Sequence, residues 1–66
     1  MHNKTEHFNS VTPNGTSVTI YNIWSFGDVV GYQVKAERDY REIHNENFRV
    51  MTEAGEFFNS IVKENK

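Results

Sequence analysis

No cysteine occurs among the 66 residues, which removes disulfides and thiolate-bound zinc as ways of bracing a short chain. Small secreted domains usually rely on such braces, so a cytoplasmic home is expected. Long apolar runs are missing too. Nothing approaches the roughly 20 consecutive apolar residues that span a bilayer, and Met1 to Ser10 has no apolar core of the signal-peptide kind, so no membrane role is expected. Basic residues are not in surplus: 7 Lys and Arg stand against 9 Asp and Glu, a net charge of −2. A free nucleic-acid binder usually carries a clear basic excess.

Signatures of chemistry are equally sparse. There is no Gly-x-Ser-x-Gly elbow, and the absent cysteine cannot serve as a nucleophile. Gly27 and Gly31 flank Asp28-Val29-Val30, which is neither a dinucleotide fingerprint nor a phosphate loop. His2, His7 and His44 follow no recurring ligand spacing, so no metal site is expected. Glu37, Asp39, Glu42 and Glu46 interleave with Arg38 and Arg41, and read as a solvated, ion-paired edge rather than an acid–base pair. Asn3-Lys4-Thr5 and Asn14-Gly15-Thr16 match the glycosylation pattern but follow no secretory signal, so both are read as chance. The expectation is a protein that is not an enzyme and carries no cofactor.

What is present is clearest in the last 15 residues, from Thr52 to Lys66. Ala54, Phe57, Phe58, Ile61 and Val62 fall at i, i+3, i+4, i+7 and i+8, which places them on one face of a helix. Thr52 is the expected N-cap; Glu53 and Glu56 lie near the positive end of the helix dipole, and Lys63 and Lys66 near the negative end. Such an apolar stripe needs a surface to cover. Ser17 to Trp24 alternates as a strand, with Val18, Ile20 and Trp24 on one face and Thr19, Tyr21 and Ile23 on the other. Phe26-Gly27-Asp28 supplies a turn. Val29 to Glu37 alternates again, with Val30, Tyr32, Val34 and Ala36 opposed to Gln33, Lys35 and Glu37. Arg38-Asp39 then turns the chain into a short third strand, Tyr40 to His44, with Ile43 inward. A rival reading makes Ala36 to Ile43 helical, because Ala, Glu and Arg favour helix.

The expected fold class is α+β: a three-stranded antiparallel β-meander packed against one C-terminal α-helix. Residues 1–16 are read as a flexible polar leader, with a short extra strand as a variant, and residues 17–66 as one β-β-β-α domain. Thr12-Pro13-Asn14-Gly15 is a turn, since Pro presets φ and Asn and Gly tolerate positive φ after it. The expected core is Val18, Ile20, Trp24, Val30, Tyr32, Val34, Ile43, Phe48, Phe57, Phe58, Ile61 and Val62. A chain this short buries only about 60% of its unfolded surface, so packing of its aromatic residues, or formation of a homodimer, has to supply stability.

The sheet face turned away from the helix carries the functional content. It presents Thr19, Tyr21, Ile23, Gln33, Lys35 and Arg41, and Tyr21 with Ile23 is more apolar than solvent contact requires. The expected partner is therefore a protein, bound by a small adaptor or inhibitor of the accessory kind that phages and mobile elements encode. The expected binding residues are Tyr21, Ile23, Gln33, Lys35, Arg38 and Arg41.

A family resemblance supplies the alternative. Tyr32-Gln33-Val34-Lys35, Tyr40-Arg41-Glu42-Ile43, Phe48, Thr52-Glu53-Ala54 and Phe57-Phe58 together resemble the AP2-like DNA-binding domains at the N-terminus of many tyrosine recombinases. The resemblance covers about half of the chain. It implies a three-stranded sheet on one helix whose open face enters the major groove, with Gln33, Lys35, Arg38 and Arg41 contacting bases and phosphates.

Overall fold

The computed structural model describes residues 2–66 and confirms the α+β class, with four strands instead of three. The strands are β1 (His2–Val11), β2 (Ser17–Ser25), β3 (Asp28–Arg38) and β4 (Arg41–Phe48), followed by helix α1 (Met51–Glu64). All neighbours pair antiparallel in the order β1-β2-β3-β4, a meander with β1 and β4 at its edges. The helical alternative for Ala36 to Ile43 is not adopted, because Asp39 and Tyr40 form a hairpin turn there, with φ of 54° and 63°.

The segment read as a leader is β1, paired with β2 from His2–Ser25 to Val11–Ser17; Met1 lies outside the described residues. Its strand character is hard to see because its two large apolar residues face opposite ways. Phe8 stands opposite Ile20 on the helix side, and Val11 stands opposite Ser17 on the open side. Phe8 meets Phe58 edge-on at 5.5 Å between ring centroids, so β1 belongs to the packed unit.

Three β-bulges govern which residues reach the core. The pairing skips His7 in β1, Val30 in β3 and Ile43 in β4. An extra residue of this kind breaks the period-2 alternation and bends the strand. Val30 and Ile43, expected in the core, are accordingly exposed, and His44 takes the inward position opposite Ala36. Trp24 is only half-buried, near the end of β2, where its indole donates to Thr5 Oγ1 at 2.8 Å.

The helix lies over the centre of the sheet. Ala54, Phe58 and Ile61 are buried against Val18, Ile20, Val34 and Ala36, and Tyr32, Phe48, Met51, Phe57 and Val62 flank them. Phe57 packs between Phe48 and His44. The apolar stripe thus docks as its spacing requires. The cap differs: the N-cap is Val50, with no side-chain cap, and Thr52 sits one residue inside the helix from Met51.

The helix C-terminus is tied to the sheet by a polar latch. Asn65, buried at the C-cap, donates to the Ile61 carbonyl at 2.8 Å. Its Oδ1 accepts from Asn14 Nδ2 at 2.9 Å, Thr16 Oγ1 at 3.2 Å and Arg38 Nη1 at 3.3 Å. The turn between β1 and β2 holds its own part: the Thr12 amide donates to the Thr16 carbonyl, the Gly15 amide to the Thr12 carbonyl, and Asn14 Oδ1 accepts from the Thr16 amide. Thr16 and Asn65 are buried, so the bonds between them and to the Ile61 carbonyl stand in place of water.

Candidate functional site

The open face of the sheet is built in five cross-strand rungs. They run His2–Ser25–Asp28, Lys4–Ile23–Gly31, Glu6–Tyr21–Gln33–Asn47, Asn9–Thr19–Lys35–Asn45 and Val11–Ser17–Glu37–Glu42. Tyr21, Ile23, Gln33 and Lys35 are brought together there as expected. Arg38 and Arg41 are not. They pair with one another at the far hairpin, and Arg38 reaches the helix C-cap. The bulge at Ile43 turns Arg41 off the open face, so its expected place there is corrected.

A hydrogen-bonded chain crosses this face. Lys4 Nζ passes 5.4 Å from the centroid of the Tyr21 ring and donates to Gln33 Oε1 at 2.8 Å. Gln33 Nε2 donates to Asn45 Oδ1 at 2.7 Å, and Asn45 Nδ2 to Glu42 Oε1 at 3.1 Å. Lys35 sits 3.7 Å from both Glu37 and Glu42. Asn9 Nδ2 donates to Thr19 Oγ1 at 2.8 Å and to Ser17 Oγ at 3.0 Å. Gln33 and Thr19 are buried although they face away from the helix. These groups are already satisfied by one another, so the centre of the face is a fixed polar surface.

One end of the sheet is stepped. Strand β4 stops pairing at Phe48, opposite Tyr32, so residues 28–31 of β3 overhang it. Beside this step is a cleft of about 430 Å³ lined by Ile23, Val30, Gly31, Asn47, Phe48 and Arg49. Gly31 lets the end of β4 come close: a Cβ there would stand 3.0 Å from the Phe48 carbonyl oxygen. At the tip of the hairpin that carries Ile23 and Val30, the β2–β3 turn places Phe26 and Gly27 at φ of 50° and 83°, the paired positive φ of a type I′ turn. Phe26 is 95% exposed, and Val29 and Val30 are exposed beside it. No family model, curated protein or solved structure matches the chain.

At the opposite end, a hollow of about 480 Å³ is lined by Arg38, Asp39, Arg41 and Ile43. No group of three or more His, Cys, Asp or Glu is placed to hold a metal ion among the described residues, and no helix is long and apolar enough to cross a membrane.

Several site residues escape a reading by pattern. Lys4 belongs to a strand whose polarity hides it. Phe48 and Arg49 line the cleft because β4 ends there, which only the pairing determines. Phe26 left a detectable signal: a large aromatic before Gly in a two-residue hairpin turn, where Asn or Asp is the usual choice.

Proposed function

We propose that the chain is a small non-enzymatic protein-binding module, an adaptor or inhibitor acting in the cytoplasm through the open sheet face and the cleft at its end. The observation that carries this reading is the cleft itself, with Ile23 and Val30 in its lining and the exposed Phe26 at the tip of the same hairpin. A recess lined by Ile23, Val30 and Phe48, with polar Asn47 and Arg49 at its border, suits an apolar side chain from a partner surface. The nucleic-acid alternative draws less support from the charges. On the open face Lys4 and Lys35 stand with Glu6, Glu37 and Glu42, and Lys35 is shared between two of those acids.

The test is affinity capture from host lysate with and without nuclease, using wild type and Ile23→Glu as baits. A protein retained by wild type in both arms and lost with Ile23→Glu supports the reading. Retention that disappears after nuclease, or that falls steeply with salt and ignores Ile23→Glu, points instead to phosphate contacts and refutes it.

A further inference from the structure

We propose that the occupant of the cleft is the Phe26 turn of a second copy of this chain, inserted reciprocally so that two molecules close into a two-fold dimer. This deepens the preceding reading of the cleft as a protein-binding site and rests on it.

Three features converge. The first is conformational: Phe26 holds a positive φ with its side chain almost wholly in solvent. A bulky residue in the left-handed region is disfavoured, and Phe26 differs from the equally exposed Tyr40, at φ 63°, in lying at the end of the molecule that carries the apolar cleft. A receptor for the ring would supply the compensation. The second is shape. The turn projects at the end of the overhanging hairpin, and the cleft is the recess where β4 falls short of it. Knob and recess therefore lie at the same end of the molecule, as a self-complementary patch requires. The third is charge. Asp28 follows the knob and Arg49 lines the recess; neither forms an ion pair or a side-chain hydrogen bond among the described residues. With Phe26 seated across the two-fold, Asp28 of each copy approaches Arg49 of the other. The two pairs are equivalent by symmetry.

Sedimentation velocity of the full chain over a concentration series reads the association. Wild type should pass from monomer to dimer as concentration rises. Phe26→Asn should weaken association at least about tenfold, the scale of a buried aromatic anchor. It should also melt no lower than wild type, because Asn-Gly is the favoured pair for this turn. Asp28→Arg and Arg49→Asp should each dimerise poorly alone, through like charges at both contacts, while an equimolar mixture forms a heterodimer with both contacts restored. Wild type that stays monomeric at the highest concentration, Phe26→Asn that dimerises like wild type, or a mixture that fails to associate would each overturn the proposal. If the chain is monomeric while Ile23→Glu still abolishes capture of a partner, the second copy is the wrong occupant and the cleft remains the binding site.

Discussion

Replacing Asn65 with alanine should be the most damaging change available outside the apolar core. Its side chain is the junction of helix α1, the β1–β2 turn and the end of β3. Truncation leaves the Ile61 carbonyl without its side-chain donor in a buried setting, at about 1–3 kcal/mol. It also removes the acceptor of Asn14 and Thr16, each such bond contributing about 0.5–1.5 kcal/mol net. Thr16 keeps Asn14 Oδ1 at 2.8 Å as a second partner, and the exposed Arg38 can turn to water, so both losses are partial. The sum is about 2–4 kcal/mol. A domain of this size has a total stability of only about 3–10 kcal/mol. At about 4–8 °C per kcal/mol for small domains, the midpoint should fall by about 8–32 °C. Urea melts of Asn65→Ala, Asn14→Ala and the double variant check this directly, since residues bonded to one another should be non-additive by more than about 0.5 kcal/mol. A loss below 0.5 kcal/mol for Asn65→Ala, or full additivity, would refute the latch.

Further outcomes follow from packing and turn geometry. Phe58→Ala should cost about 3–5 kcal/mol, and the half-buried Phe57 roughly half of that, by chemical denaturation. A chain beginning at Thr12, lacking β1, should lose its cooperative thermal transition; a flexible leader could be removed without effect. Tyr40→Gly should raise stability by about 1 kcal/mol, because Tyr40 holds a φ of 63° while its side chain is fully exposed. Lys35→Met should change stability by less than about 0.5 kcal/mol, since its pairs at 3.7 Å involve side chains that are 31–50% exposed.

How much of this was legible in the residues depended on whether a period survived. The helix was readable because five apolar side chains keep 3.6-residue spacing without interruption, and β2 was readable through Val18 and Ile20 against Thr19 and Tyr21. Strand β1 was not, because the bulge at His7 and the opposite facing of Phe8 and Val11 leave no apolar alternation. Strand β4, expected at Tyr40 to His44 and observed at Arg41–Phe48, was read too short for a related reason: Glu46 and His44 occupy helix-side positions that a pattern reading assigns to apolar residues, and Ile43 is the bulged residue. At the candidate site, Tyr21, Ile23, Gln33 and Lys35 shared a face because β2 and β3 alternate cleanly through them. The cleft required the end of β4 beside Gly31, which is a fact of pairing and not of period.

The two outer strands share a defect in register, at His7 on one side and Ile43 on the other. A fifth strand laid along either border would meet a kinked row of amides and carbonyls instead of a straight template. Enlargement of the sheet sideways is therefore disfavoured in both directions. Assembly is left to the hairpin tips and the faces, where a two-fold contact closes at two copies.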